Sequence, residues 1–118
     1  MTTIKIFRDQ NKDCIGYEIS GHAEFDVSGR DIVCAAISVL ATTAHNSIEK
    51  LTSDKFGHEE NEEDGYMYFM LQDNPSKEAK LLLNSMVLGL TELEEQLLTY
   101  FLMKTNLLIF SKMLFITE

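Results

Sequence analysis

The sequence ISGHAEFDVSGRDIVCAAIS, residues 19–38, contains the point at which the chain changes from strand to helix. Its first residues end an alternating pattern of apolar side chains at Gly21, and from Asp31 onward apolar residues recur every three or four positions. The polar segment between them is predicted to be a loop. His22 lies at the strand exit and Cys34 near the start of the helix, so one loop separates a base from a thiol.

Two short strands precede this loop. Apolar and polar residues alternate over residues 3–8, and they alternate again over residues 15–21, where Ile15, Tyr17 and Ile19 share one face. The connection at residues 9–13 is short and polar, which favours an antiparallel hairpin.

The helical pattern that begins at Asp31 runs for about 20 residues and places Val33, Ile37 and Ile48 on one apolar stripe. Asp31 is a favourable N-cap residue. The polar residues 52–55 predict the exit from this helix.

A second pair of strands and a second helix follow. Residues 55–60 predict a third strand, and the segment NEEDG at residues 61–65 ends in Asp-Gly, a typical hairpin turn. The sequence YMYFML at residues 66–71 predicts a strand with apolar groups on both faces, which indicates burial on both sides or an interface between subunits. The sequence NPS at residues 74–76 begins the second helix.

The order strand, strand, helix, strand, strand, helix predicts an α+β fold, an antiparallel sheet packed with two main helices. Residues 1–97 form the predicted domain, and residues 98–118 form an atypical apolar tail that is not a separate domain. Lys104 and Lys112 interrupt the tail, which argues against a membrane span and favours a helix extension or a strand that packs against a partner.

Composition excludes several classes of function. A chain of 118 residues with 45% apolar side chains can bury one core, and its net charge of −9 argues against a direct nucleic-acid partner. The same charge permits a basic partner, although solubility alone also explains it. No secretory signal precedes the first strand, so we expect a cytoplasmic protein without disulfides. The two cysteines and three histidines are scattered, so no metal and no cofactor is expected.

Cys34 is the candidate nucleophile and His22 the candidate base. The partial positive charge of a helix start favours a thiolate, and N–H groups near residues 32–34 could stabilise an oxyanion. The alternatives are that Cys34 is a small core residue, that Asp31 only caps the helix, and that Ser38 only bonds to its own helix. Cys14 is expected to be structural, and His45 and His58 to be solvated.

The segment GHAEFDVSGRDIVCAAIS, together with the amino-terminal hairpin, resembles the ribosomal-processing cysteine protease family of bacteria. Members have a GHA motif followed at this distance by G-x-D-I-V-C-A-A-x-S. The resemblance covers residues 1–96, because it includes the N-P-x-x-x-A-x-x-L-L start of the second helix and the later L-x-E-L-E-E stretch. Members typically finish with a short, charged terminal strand, from which the apolar tail of this chain departs.

The resemblance implies a catalytic dyad of His22 and Cys34, with Asp31 and Ser38 in support. It implies a homodimer and an activity that removes the amino-terminal extension of large-subunit ribosomal protein twenty-seven, a basic protein, after an aromatic-containing motif. It also implies a mobile gate over the site, formed by Ala23, Glu24, Phe25, Asp26, Val27, Ser28, Gly29 and Arg30.

Two other functions are open from the residues. One is a non-catalytic, ribosome-associated binding module that uses the same cleft without turnover. The other is a redox-sensing thiol protein, which would form a bridge between Cys14 and Cys34 on mild oxidation.

Overall fold

The computed structural model describes residues 2–21, 30–103 and 114–117, with side chains described over most of these ranges. The predicted order of strand, strand, helix, strand, strand, helix is confirmed, and a short fifth strand follows it. The elements are β1 (Thr2–Arg8), β2 (Cys14–Ser20), α1 (Arg30–Leu51), β3 (Phe56–Asn61), β4 (Tyr66–Leu71), α2 (Lys77–Met103) and β5 (Leu114–Thr117).

The strands form one sheet in the order β3-β4-β2-β1-β5. The predicted hairpin of β1 and β2 is antiparallel, with Ile4 opposite Ile19. β4 pairs antiparallel with both β2 and β3, whereas β5 runs parallel to β1. β2 is therefore the central strand, and the stretch that follows it leaves from the middle of the sheet.

Both helices pack on the face of the sheet that carries Ile4, Tyr17 and Phe69, all of which are fully or almost fully buried. The Tyr17 hydroxyl donates a hydrogen bond to the Ala41 carbonyl oxygen of α1 at 3.3 Å, and burial raises the pKa of this phenol. The opposite face of the sheet carries half-exposed side chains, among them Tyr68, which meets the ring of Phe7 edge to face.

α1 begins at Arg30, one residue before the predicted N-cap, so Asp31 lies in its first turn. The helix is long and apolar enough to cross a membrane by length and composition, as core helices of soluble domains also are. Its buried stripe includes Ile37 and Ile48 and packs into the core of this domain.

The apolar tail contributes to the same domain. α2 continues to Met103, beyond the predicted boundary at residue 97, and β5 pairs with β1 of the same chain. Ile116 of β5 is half-buried against the core.

The sheet has two ends, and we call the end at which β2 and α2 begin the distal end. There the Lys80 ammonium contacts the Asp9 carboxylate at 2.8 Å. This hydrogen bond lowers the pKa of Asp9 and raises that of Lys80. The Asn84 amide accepts the Cys14 N–H at 2.9 Å and donates to Asp13 at 3.2 Å. These bonds connect α2 to the first hairpin.

The start of α2 is fixed at this same distal end. The Ser76 side-chain oxygen accepts the Ala79 N–H at 3.1 Å, as an N-cap does. Asp54, just after α1, accepts from the Ser76 hydroxyl at 2.6 Å and from its N–H at 2.7 Å. These bonds hold the pKa of Asp54 below its ordinary value.

Candidate active site

Cys34 lies in the wall of a cavity of about 410 Å³ at the other end of the sheet, which we call the site end. The thiol is free and half-buried, so it is reachable from the cavity. The size falls within the range of ligand pockets in general, about 300–1,000 Å³. The cavity is lined by Thr2, Ile19, Gly21, Cys34, Ile37, Ser38, Thr42, Glu60, Asn61, Glu62, Gly65, Tyr66 and Met67.

The local sequence explains how the thiol reaches this position. β2 ends at Ser20, and Gly21 follows with φ of 108°, a backbone conformation that favours glycine. Cys34 is the fifth residue of α1, and its Cα–Cβ bond tilts toward the start of the helix, as in any α-helix. Ser38 is exposed one turn later and lines the same cavity.

The other predicted site residues have different outcomes. His22 and residues 23–29 of the predicted gate lie outside the described residues, so the pairing of His22 with Cys34 stays a prediction. Arg30 begins α1, and its part in the gate stays a prediction. The prediction that Asp31 is the N-cap is wrong, because the helix already includes Arg30.

Sequence reasoning missed the acidic wall of the cavity. Glu60 and Glu62 come from the end of β3 and the turn after it, and both are exposed at the cavity. They line the same cavity as Cys34 because β4 pairs with both β2 and β3, which brings Met67 opposite Ile19 and Glu60 opposite Met67. The acidic NEEDG segment was the available signal, but only the pairing of distant strands shows where this segment lies.

Cys14 differs from Cys34 in every respect that matters for reactivity. It is fully buried, and its thiol donates to the Gly16 carbonyl oxygen at 3.3 Å. It begins β2, roughly 16 Å along the strand from Ile19, which lines the Cys34 cavity. A disulfide needs Cα atoms within about 7 Å. The hypothesis of a Cys14–Cys34 bridge is therefore incompatible with this fold.

His45 was expected to be solvated, and this prediction is wrong. His45 is only 9% exposed, and its ring packs against the rings of Phe56 and Phe69, with a centroid distance of 5.1 Å to each. Burial, with a contribution from His58, lowers the pKa of His45. His58 is exposed, as expected.

An accessible thiol near the start of a helix, in the wall of a ligand-sized cleft, is the arrangement of a thiol-dependent enzyme. The sequence profile of the family described as cysteine protease Prp matches residues 1–101. The chain therefore belongs to the cysteine protease Prp family and is a cysteine protease.

Curated relatives agree with this assignment. The ribosomal processing cysteine protease Prp of Bacillus subtilis is 28% identical over 112 residues, covering 92% of this chain and 100% of that protein. The protein of the same name from Staphylococcus aureus is 29% identical over 96 residues, covering 81% of this chain and 91% of that protein.

The fold is shared with a solved structure. The crystal structure of the essential ribosomal processing protease Prp from S. aureus in complex with a substrate peptide superposes with a TM-score of 0.80. The superposition covers 99% of this chain and 98% of that chain, at 23% sequence identity.

Proposed function

We propose that this protein is a cysteine endopeptidase that removes a short amino-terminal extension from a ribosomal large-subunit protein during ribosome maturation. The observation that carries the proposal is the free, half-buried Cys34 thiol in the wall of the site-end cavity. The names of the curated relatives support a ribosomal substrate. We place the reaction in the cytoplasm, where ribosomes are assembled.

The proposed reaction needs only the side chains of the chain and water. His22 takes the proton of Cys34, and the thiolate sulfur attacks the carbonyl carbon of the scissile peptide bond. The tetrahedral intermediate collapses to a thioester as His22 gives its proton to the leaving amine. Water, deprotonated by His22, then hydrolyses the thioester and restores the thiol. In this scheme Asp31 and Ser38 support the two reacting side chains.

The acidic wall of the cavity supports a basic substrate. Glu60 and Glu62 are exposed at the cavity, and a neighbouring cavity at the same end of the sheet is lined by Glu59 and Asp64 as well. Carboxylates around a cleft attract a positively charged chain and speed its association at low salt. These carboxylates lie where a basic ribosomal segment would enter.

We also propose a homodimer that uses the sheet face opposite the helices. Half-exposed Phe7, Tyr66, Tyr68 and Met70 lie on this face, and both helices pack on the other. A set of aromatic and Met side chains is typical of the centre of a protein interface. Sedimentation measurements on the protein and on Tyr68→Glu test this: the variant should be monomeric at concentrations where the protein is dimeric.

Cleavage of the proposed substrate tests the function directly. The purified protein is incubated with the ribosomal protein carrying its amino-terminal extension, and the products are identified by mass spectrometry. A single cut at the end of the extension, after an aromatic-containing motif, is expected. The same ribosomal protein without the extension is the matched control and should stay intact.

The same assay separates catalysis from binding alone. A non-catalytic module would bind the extended ribosomal protein stoichiometrically and release no fragment. Multiple turnovers with a fragment of the expected mass exclude that alternative, whereas a stable complex with uncut substrate would replace the protease by the binding module.

A further inference from the structure

A second cluster of reactive side chains lies farther along the same helix. The side chains of His45, His58 and Glu60 each place one potential ligand atom within 4.8 Å of the other two. His45 comes from α1, whereas His58 and Glu60 come from β3, which lies at one edge of the sheet. Residues two apart on a strand share one face, so His58 and Glu60 both lie on the face of the sheet that packs against the helices.

The cluster is partly preorganised. The His45 ring is buried against Phe56 and Phe69, and it meets the His58 ring at a centroid distance of 4.9 Å. His58 and Glu60 are exposed and can change rotamer without disturbing the core. One ligand is therefore fixed, and two are free to close on an ion.

We propose that His45, His58 and Glu60 form a binding site for Zn²⁺ or a divalent transition metal of similar preference. Two imidazoles and one carboxylate are a common set of zinc ligands, at about 2.0–2.2 Å from the metal. Ligand atoms around a tetrahedral ion lie about 3.4 Å apart, so small rotamer changes of His58 and Glu60 complete the site.

A fourth ligand is available on the same helix. The Glu49 carboxylate lies 3.9 Å from Nε2 of His45, one helical turn away, and its side chain is half-exposed. Either this carboxylate or water can complete four-coordination. A metal ion bound in this way would cross-link the edge strand β3 to α1.

The metal site and the Cys34 cavity share one residue. Glu60 also lines the cavity, together with Ser38 and Thr42 of α1. A metal ion that coordinates Glu60 neutralises one carboxylate of the cavity wall. Occupation of the site therefore changes the charge that a substrate meets, whatever the substrate is.

Zinc binding is best measured on the Cys34→Ala variant, since an accessible thiol can itself bind zinc. Calorimetric titration of chelator-treated protein with Zn²⁺ should show one bound ion per chain. At a hundredfold excess over the dissociation constant, zinc should raise the thermal midpoint by about 10 °C. We expect His58→Gln and Glu60→Gln in the same background to weaken binding at least about tenfold.

Glu59→Gln is the matched control, because Glu59 lies between the two ligands on β3 but on the opposite face of the sheet. It removes the same charge as Glu60→Gln and should leave zinc affinity unchanged. His58 is exposed, so its substitution does not threaten folding. Absence of zinc binding to Cys34→Ala overturns the proposal, and so does equal binding by Glu60→Gln, Glu59→Gln and His58→Gln.

Discussion

The two ends of the sheet are built in opposite ways. At the distal end, hydrogen bonds and an ion pair connect different elements: Lys80 to Asp9, Asn84 to Cys14, and Ser76 to Asp54. At the site end, the Cys34 thiol and the carboxylates of Glu60 and Glu62 line a cavity. Cys34 is half-buried, and the two glutamates are exposed.

We infer that the distal end mainly stabilises the fold, whereas the site end carries the chemistry. Polar groups that bond across elements fix the helices on the sheet, whereas polar groups around a cavity are available to a ligand. The direction of the chain makes this possible, because α1 starts at the site end and α2 starts at the distal end. Substitutions at the two ends should therefore affect different measurements.

The largest expected effect is a loss of activity at Cys34, which a substitution of Cys14 should not cause. Cys34→Ala and His22→Ala should each lower kcat/KM at least about 10³-fold, because residual catalysis by the rest of a protease site is small. Cys34→Ala should change the free energy of unfolding by less than about 0.5 kcal/mol. Peptide cleavage and urea unfolding measure the two quantities.

Cys14→Ala is the matched control for this pair. It removes a fully buried sulfur and should cost about 1–2 kcal/mol of stability while the folded fraction keeps its activity. Cleavage that survives Cys34→Ala would remove Cys34 from the reaction.

The next largest effect is a loss of stability on substitution of Gly16 in β2, the central strand, which runs from the distal end to the site end. A Cβ atom at Gly16 would lie 2.5 Å from the Phe69 carbonyl oxygen and 2.8 Å from the Met70 sulfur. Gly16→Ala must push β2 away from β4 and should cost about 3 kcal/mol or more. Thermal unfolding checks this value.

Gly57→Ala serves as the comparison on the same face of the sheet. Its Cβ would meet the end of the flexible Gln72 side chain at 3.0 Å, which can move aside. We expect a much smaller loss of stability there. Equal losses at the two glycines would show that close contact with β4 does not explain Gly16.

A smaller effect is expected at the Asp54–Ser76 link. Ser76→Ala removes the cap of α2 and the hydrogen bond to Asp54, and should cost about 1–2 kcal/mol. Ser53→Ala, an exposed serine nearby, should cost little. Cleavage of a saturating peptide should be the same for both variants under native conditions.

The same link predicts a dependence of stability on pH. The pKa of Asp54 is lower in the folded protein than the ordinary 3.8, so the folded state binds fewer protons than the unfolded state. Its contribution is complete well above pH 3.8 and is lost as the pH falls through the folded pKa. Ser76→Ala should flatten this part of the profile, and an unchanged profile would contradict the assignment.

The smallest effect should be seen at the cavity wall. Glu62→Gln removes one exposed carboxylate and should raise KM for a basic peptide about two- to fivefold, with kcat unchanged. The increase should shrink at high salt because exposed charges are screened. Glu78→Gln, at the start of α2 on the distal end, is the control and should leave KM unchanged.

Much of this architecture was predictable because its signals are local. Alternation predicted β1 and β2, and the Asp-Gly turn with the apolar run after it predicted the second pair of strands. Helical periodicity predicted both helices, and the position of Cys34 near a helix start made it the candidate nucleophile. The placement of Glu60 beside the cavity and the burial of His45 were not predictable. Both depend on β4 lying between β2 and β3, which no local pattern specifies.

The helix start and the last strand show the same limit on a smaller scale. Arg30 joins α1 although Asp31 has the better capping side chain, because helix ends vary by one or two residues. The apolar tail predicted a helix extension or a strand, but the parallel partner of β5 is the first strand of the chain. Pairing between chain ends leaves no trace in the periodicity of either segment.

The position of β5 has a consequence for self-association. An unpaired strand edge recruits other strands. The outer strands of the described sheet are β3 and β5. β3 exposes Glu59 and Glu60, whose charges discourage pairing, whereas β1, in which the apolar Ile4 and Ile6 alternate with Lys5, is covered by β5. A chain that ends before Leu114 leaves β1 uncovered, so truncated forms should aggregate through that strand while the charged edge stays inert.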